Sequence, residues 1–163
     1  MKIIFLDFDG VMDSESYNIM LKKQGKPLKD KYGTIFDPIC VKNLKYITDQ
    51  TGASIVVTSL WKRIMSYGDI VELWGYRELP GFVTGVTPNL GKGFCRGDEI
   101  DAWLEECRTD VQYVIIDDLR AKYFNELQLS RLLKVDPIYG LDGDTAEKAI
   151  VILNSNDDKG EDC

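Results

Sequence analysis

The stretch that decides the fold is MKIIFLDFDGVMD, residues 1–13, where an apolar run ends abruptly at Asp7, Asp9 and Asp13. Its segment KIIFLDF is short and nearly continuously apolar, which is typical of a strand covered on both faces. Carboxylates crowded within a few ångströms repel one another and raise at least one pKa, unless a cation or a shared proton relieves the repulsion. The stretch therefore predicts a buried strand that ends at a functional site.

The composition indicates an ordinary globular protein. The chain has 163 residues, of which 44% are hydrophobic and 29% charged, enough for one domain with a proper core. No run approaches the roughly 20 apolar residues of a membrane span. We expect a single domain over residues 1–153, a disordered acidic tail over residues 154–163, and a cytoplasmic protein without membrane contact.

Charge and missing residue types exclude several classes of function. A net charge of −7 argues against extended binding along nucleic acid, which needs clustered Lys and Arg, although a single phosphate can still bind. The chain has no histidine, which excludes Ser-His-Asp and Cys-His nucleophiles and His-ligated metals. Its four cysteines lack C-x-x-C spacing, which argues against zinc ribbons. Acid–base chemistry is therefore left to carboxylates, Lys, Tyr or water.

Strand-like and helix-like segments alternate along the chain. Asp37 followed by Pro38 predicts a helix start, Gly52 predicts its end, and ASIVVTS, residues 53–59, predicts a second buried strand. Helical spacing follows over residues 64–74, where Gly68 would divide two short helices.

The second half of the chain continues this alternation. GFVTGVTP, residues 81–88, predicts a short strand or extended loop, and Asp98 predicts a helix cap. VQYVIID, residues 111–117, predicts a strand, SRLLKVD, residues 130–136, predicts a weaker one, and Asp144 with Glu147 predicts a capping box for the last helix.

The alternation predicts a doubly wound, Rossmann-like parallel sheet with helices on both faces. Ligands of such sheets bind beyond the carboxyl ends of the strands, at a switch point in strand order. Three apolar strands end in polar residues that would meet at one edge: Asp7, Asp9, Thr58, Ser59, Asp117 and Asp118.

Clustered carboxylates without His or Cys predict an oxygen-ligand site for a hard cation, with Mg²⁺ as the best fit. A metal would keep the aspartates ionised and leave one free to attack phosphorus. Thr58 or Ser59 can donate a hydrogen bond to a transferring phosphoryl group. Lys92 and Arg96 are the candidates to neutralise its charge.

The sequence resembles the haloacid dehalogenase (HAD) superfamily of phosphotransferases over about residues 1–153. FLDFDGV, residues 5–11, resembles the first motif, in which hydrophobic residues precede D-x-D-G-[TV]. IVVTS, residues 55–59, resembles the second motif, and VIIDD, residues 114–118, resembles the fourth. The resemblance implies a Mg²⁺-dependent phosphatase that forms an aspartyl-phosphate.

The first and second motifs assign roles by this resemblance. Asp7 would be the nucleophile and, through its other oxygen, a metal ligand. Asp9 would be the general acid and then the base, with its backbone carbonyl as a further metal ligand, and Gly10 would permit a tight turn. Thr58 is favoured in the second motif, because VVTS aligns with the common VVTN ending, and Ser59 is the alternative.

The remaining motifs assign the cation and the second acidic pair. RGDEIDAWL, residues 96–104, resembles the spacing K-G-x-A-L-x-x-L with Arg96 in place of the usual Lys, so Arg96 is the first choice and Lys92 the second. The frequent GD form of the fourth motif makes Asp118 the metal ligand and Asp117 its support. Asp13 is expected to be a loop or cap residue, and Trp61 a core residue that could border the cleft.

The segments available for a cap domain are short, so the resemblance implies a minimal cap and an open cleft. An open cleft suits phosphates on nucleic-acid ends, proteins or nucleotides, or needs a partner subunit as a lid. VVTSLWK, RGDEIDAWL and PIYGLDGDTAEKAIVIL also resemble the small phosphatase domain associated with RNA-repair proteins. A polynucleotide end or a nucleotide is therefore the expected substrate, with Lys62 and Arg63 as local positive charge.

Two other functions remain open. A phospho-acceptor receiver domain also combines an aspartate cluster with Thr or Ser and Lys, although its accepting Asp ends a middle strand, and here that strand ends in Thr58. The other is a non-catalytic phosphate-binding or interaction module on the same fold.

Overall fold

The structure, a computed structural model, describes residues 1–155. Along these residues the elements are β1 (Lys2–Leu6), α1 (Glu15–Lys23), β2 (Lys29–Asp30), β3 (Gly33–Thr34), α2 (Pro38–Thr51), β4 (Ser54–Val57), a 3₁₀ turn (Leu60–Arg63), α3 (Tyr67–Tyr76), β5 (Val83–Val86), α4 (Arg96–Glu106), β6 (Gln112–Asp117), a second 3₁₀ turn (Ala121–Tyr123), α5 (Glu126–Leu129), β7 (Leu132–Lys134) and α6 (Gly143–Asn154).

Five strands form one parallel sheet in the order β5-β4-β1-β6-β7. The strand order reverses at β1, which lies at the centre, and ligands of such sheets bind beyond the carboxyl ends at this position. The two short strands β2 and β3 pair antiparallel as a separate hairpin. The predicted doubly wound α/β fold is confirmed.

Both faces of the sheet are buried because the side chains of each strand alternate between them. Ile4 and Leu6 of β1 belong to one apolar cluster, whereas Ile3 and Phe5 belong to another on the opposite face. The first cluster includes Leu44 of α2, Leu73 of α3 and Ala149 of α6, and the second includes Ile100 of α4. The central strand is thus fully enclosed, which holds its carboxyl end rigidly.

The helix α2 has the predicted ends. The Asp37 side chain accepts a hydrogen bond from the backbone N–H of Ile39 at 2.8 Å, and Pro38 is the first helical residue. Gly52 ends the helix in the left-handed conformation, with φ of 67°. The expected break at Gly68 is wrong, because this residue lies inside α3, whose start is capped by Ser66.

Two other predicted caps are shifted along the chain. Asp98 lies in the first turn of α4, where its carboxylate accepts from the Cys95 N–H at 2.7 Å, so Cys95 occupies the N-cap. The last helix is capped by Asp142, which accepts from the Thr145 N–H at 2.8 Å, instead of by Asp144. Asp142 is the last extended residue before α6, and only that position directs a side chain at the free N–H groups.

Residues 14–36, where a cap domain could be inserted, form only α1 and the β2–β3 hairpin. Arg77, at the end of α3, holds this hairpin through two hydrogen bonds to Asp30, both 2.8 Å long, and a third to the carbonyl of Gly33 at 3.2 Å. The hairpin is therefore fixed against α3.

Most of the predicted disordered tail, residues 156–163, lies outside the described part of the chain, whereas Asn154 is the last residue of α6. The domain boundaries stay predictions. Within residues 1–155, no helix combines the length and the apolar character needed to cross a membrane.

Candidate active site

Three neighbouring strands bring Asp7, Thr58 and Asp117 side by side at the carboxyl edge of the sheet. The Asp7 N–H donates to the carbonyl of Ile116 at 3.1 Å, and the Thr58 N–H donates to the carbonyl of Leu6 at 2.9 Å. All three polar side chains are buried. The parallel register thus places one residue from each of the first, second and fourth HAD-like motifs in a single row.

Arg96, the first residue of α4, adds the positive charge of this row. Its Nη1 atom lies 3.1 Å from Thr58 Oγ1, 2.5 Å from Asp117 Oδ2 and 3.5 Å from Asp7 Oδ1. Lys92, the alternative cation, lies exposed on the loop that precedes α4. The structure therefore brings Arg96 to the carboxylates and places Lys92 on the surface.

Asp7, Asp117 and Asp118 each offer a carboxylate oxygen, and these oxygens lie within 4.8 Å of one another. Asp117 is already bound on both sides, to Arg96 and to the N–H of Leu119 at 2.9 Å. Asp118 is only half-buried and packs against Gly10. A Cβ atom on Gly10 would lie 2.5 Å from Asp118 Oδ2, and the φ of +76° also favours glycine there.

The carboxylate group carries more negative charge than the protein compensates. Burial raises the pKa of Asp7 to about 7, against the attraction of Arg96 and together with the repulsion of Asp117. Burial also raises the pKa values of Asp117 and Asp118. One guanidinium thus faces three carboxylates, and such an oxygen donor set fits Mg²⁺, which would relieve the remaining repulsion.

Asp9 is exposed at the mouth of this group and is held by Trp61. Trp61 Nε1 donates to Asp9 Oδ1 at 3.0 Å and to Oδ2 at 3.2 Å. The sequence suggested Trp61 as a core residue at the border of the cleft, and it did not show this contact between residues 52 positions apart. The only signal was the position of Trp61 directly after the second motif.

Asp13 serves the loop that follows β1. Its carboxylate accepts from the Gly10 N–H at 2.7 Å. Burial raises the pKa of Asp13 to about 7, against the Gly10 hydrogen bond and together with the nearby Asp9 charge. Asp13 lies outside the group formed by Asp7, Asp117 and Asp118, in line with the expected role as a loop-capping residue.

Ser59, the last residue of the second motif, and Lys62, three residues further along, have structural contacts. Ser59 Oγ accepts from the Trp61 N–H at 3.4 Å and so caps the 3₁₀ turn. Lys62 Nζ donates to Glu99 Oε2 at 2.5 Å and to Thr87 Oγ1 at 2.6 Å, and its side chain is 2% exposed. The expectation that Lys62 supplies free positive charge for a substrate is wrong, because the 3₁₀ turn directs it toward α4.

A parallel α/β sheet whose central strand ends in D-x-D-G, beside a buried Thr, an Arg and a second acidic pair, defines a domain of the HAD superfamily. Residues 3–146 match the family model described as "HAD domain in Swiss Army Knife RNA repair proteins", and the chain belongs to this family. Comparisons with curated proteins and with solved structures give no significant match.

Proposed function

We propose that the protein is a Mg²⁺-dependent phosphomonoester hydrolase that acts through an aspartyl-phosphate on Asp7. The observation that carries the proposal is the surplus of buried negative charge around Asp7, where two further carboxylates lie beside the single guanidinium of Arg96. The HAD family supports a phosphatase-type function.

Asp7, Asp118 and the backbone carbonyl of Asp9 would hold the ion, and Asp117 would support them. The resemblance to the superfamily supplies the Asp9 carbonyl, whereas the two side chains belong to the carboxylate group described above. Bound Mg²⁺ would supply charge neutralisation for the carboxylates and for the phosphoryl oxygens.

Two displacements complete the proposed reaction. A carboxylate oxygen of Asp7 attacks phosphorus, the bond from phosphorus to the leaving oxygen breaks, and Asp9 donates a proton to that oxygen. Water then attacks the same phosphorus and gives its proton to Asp9. The bond between Asp7 and phosphorus breaks, which releases inorganic phosphate and restores both carboxyl groups.

Thr58 and Arg96 are suited to bind the phosphoryl oxygens. The Thr58 oxygen accepts from Arg96, so its own hydroxyl hydrogen remains to be donated to a substrate oxygen. The guanidinium of Arg96 can neutralise charge that builds up during transfer. Both groups are buried, and this strengthens their electrostatic effect.

For the substrate we propose a polynucleotide end or a nucleotide. The family description refers to RNA repair proteins, and residues 14–36 form a small hairpin and one helix in place of a large cap. The net charge of −7 favours contact near one phosphate over extended binding along the strand. A cytoplasmic location stays a prediction.

The receiver alternative finds less support. Receivers accept the phosphoryl group on an Asp at the end of a middle strand, and the strand expected in that place, β4, ends at Val57 before Thr58. A non-catalytic module would need no surplus of carboxylates around Asp7. Phosphate turnover separates all three functions experimentally.

The test is phosphate release from a panel of esters in the presence of Mg²⁺. The panel contains an aryl phosphate, free nucleotides, sugar phosphates, and oligonucleotides with 3′- or 5′-phosphate. We expect turnover that requires Mg²⁺, with preference for nucleotides or oligonucleotide ends. Asp7→Asn and Asp9→Asn should lower it by at least about 10³-fold, because they remove the nucleophile and the proton donor.

Asp49→Asn is the matched control, because Asp49 lies exposed on α2 and pairs with Lys45 at the surface. This variant should retain wild-type turnover. Absence of release from every ester would overturn the proposal, and stable phosphorylation of Asp7 without release would favour the receiver.

A further inference from the structure

We infer that Trp61 is a positioning residue for Asp9, which rests on the proposed phosphatase function. The indole N–H lies 3.0 Å from one oxygen of Asp9 and 3.2 Å from the other. The resemblance to the HAD motifs assigns no role to this tryptophan, although it lies within the segment VVTSLWK. Its effect on the reaction would pass entirely through the Asp9 carboxyl group.

The indole is itself held firmly by aromatic rings. Its centroid lies 5.3 Å from that of Phe8 in an edge-to-face arrangement, and 5.9 Å from that of Phe36. Phe8 lies between Asp7 and Asp9 in the sequence, so the ring that supports Trp61 belongs to the same motif. Trp61 is 9% exposed, and packed aromatic rings have little rotational freedom.

The small hairpin encloses the other side of the indole. A Cβ atom on Gly33 would lie 3.1 Å from Trp61 Cη2, so the hairpin backbone touches the ring edge. The guanidinium of Arg77 lies 5.9 Å from the indole centroid and is fixed by Asp30. The hairpin that replaces a cap domain thus holds the indole against Asp9.

This contact restricts an otherwise exposed carboxyl group. Asp9 must present one oxygen, with its proton, to the leaving group in the first displacement. An N–H donor fixes the plane of the carboxyl group and can remain bonded to one oxygen while the other carries the proton. The donor thus restricts the rotation of the Asp9 side chain in the open cleft.

Trp74 provides a matched comparison within the same core. Its ring stacks on Phe8 with a centroid distance of 6.1 Å, and its Nε1 donates to the carbonyl of Pro80 at 2.9 Å. Both tryptophans therefore pack against Phe8 and donate one indole hydrogen bond. Only Trp61 donates to a proposed catalytic residue.

The test compares Trp61→Phe with Trp74→Phe in single-turnover release of the leaving group. Two substrates are used: p-nitrophenyl phosphate, whose product leaves as a stabilised anion, and phenyl phosphate, whose product needs a proton. Trp61→Phe should slow phenol release by about 10- to 100-fold and nitrophenol release by less than about 3-fold. Trp74→Phe should change both rates by less than about 3-fold.

Equal losses on the two substrates, or no loss with phenyl phosphate, would overturn the inference. In an Asp9→Asn background, Trp61→Phe should have no further effect on phenol release, because the residue through which it acts is absent. If Trp61→Phe does not fold, Trp61→Tyr removes the same indole N–H while keeping an aromatic ring. A wild-type protein that hydrolyses neither ester would instead refute the phosphatase proposal.

Discussion

The first turn of α4 carries two buried charges with very different surroundings. Arg96 faces the three-carboxylate group, lying 2.5 Å from Asp117 and 3.5 Å from Asp7. Glu99, about one turn further, pairs with Lys62 at 2.5 Å. Arg96 and Glu99 are both buried at the edge of the sheet. The charge of Glu99 is balanced by one ammonium, whereas the single charge of Arg96 faces three carboxylates.

The difference separates a structural ion pair from a functional site. The Lys62 ammonium also donates to Thr87 and Pro88, so three acceptors meet its three N–H groups and nothing is left for a ligand. The carboxylates around Arg96 exceed its single charge, and burial raises the pKa of Asp7 to about 7. Surplus negative charge that the protein leaves uncompensated indicates where a cation can bind.

The largest effect on activity is expected at Arg96, whose single charge faces three carboxylates. Arg96→Gln should lower kcat/KM for phosphate release by about 10²–10³-fold, because the buried guanidinium is the only cation beside Asp7, Asp117 and Thr58 among the described residues. Steady-state kinetics with Mg²⁺ measure the loss. The control is Arg108→Gln, an exposed arginine beyond the end of α4, which should retain full activity. Activity of Arg96→Gln within about 3-fold of wild type would contradict the assigned role.

Breaking the buried Lys62–Glu99 ion pair should lower the stability of the protein. Glu99→Ala leaves the Lys62 ammonium buried without its counter-charge, and the free energy of unfolding should fall by about 3–5 kcal/mol. Urea denaturation of the metal-free protein measures this change.

Replacing both partners sharpens this prediction. Lys62→Met combined with Glu99→Leu should recover most of the loss, since no buried charge remains. Asp49→Asn, which breaks the exposed pair with Lys45, should cost less than about 1 kcal/mol. A Glu99→Ala variant as stable as wild type would show that the pair is not structural.

The last effect is a pH dependence of stability, to which Asp7 of the three-carboxylate group should contribute. Asp7 has a folded-state pKa of about 7 against an ordinary value of 3.8. A raised pKa contributes stability below the ordinary value, and this contribution is lost as the pH rises to about 7. Without metal, Asp7→Asn should therefore gain stability relative to wild type as the pH rises from about 4 to 7.

Stabilisation by Mg²⁺ should increase with pH, whereas the contribution of Asp7 to the stability of the metal-free protein decreases with pH. Because binding needs ionised carboxylates, Mg²⁺ should raise the Tm of the wild type more at about pH 7.5 than at about pH 5.5. Asp7→Asn should lose most of this response. Thermal unfolding with Mg²⁺ or a chelator measures both effects, and a Mg²⁺ response that does not change with pH would contradict the prediction.

The sequence was sufficient to predict the parallel sheet and the row of polar residues at its carboxyl edge. Apolar runs predict strands, and parallel strands bring their carboxyl ends together, so Asp7, Thr58 and Asp117 could be grouped without coordinates. The role of Arg96 was harder to predict, because its assignment depended on the resemblance to a motif that usually contains Lys. The choice between Arg96 and Lys92 needed the backbone, since only the first turn of α4 faces the strand ends.

Contacts between distant segments could not be predicted. Lys62 was expected to be free near the substrate, but its partner Glu99 lies 37 residues away and is reached through a 3₁₀ turn. The hydrogen bond from Trp61 to Asp9 also joins residues that are far apart in the sequence. Cap positions were missed by two or three residues, because only backbone dihedral angles show which residue near a helix start is the N-cap.

The central position of β1 also has a consequence for the chain during its synthesis. Asp7 is made before both partner strands, since β4 begins only at Ser54 and β6 only at Gln112. Both partner strands must pair with β1 before Thr58 and Asp117 lie beside Asp7, and such non-local pairing is slow. A chain in which β4 and β6 have not yet been made therefore has Asp7 without Thr58 and Asp117 beside it, and the row of residues at the sheet edge is completed only after β6 has been synthesised.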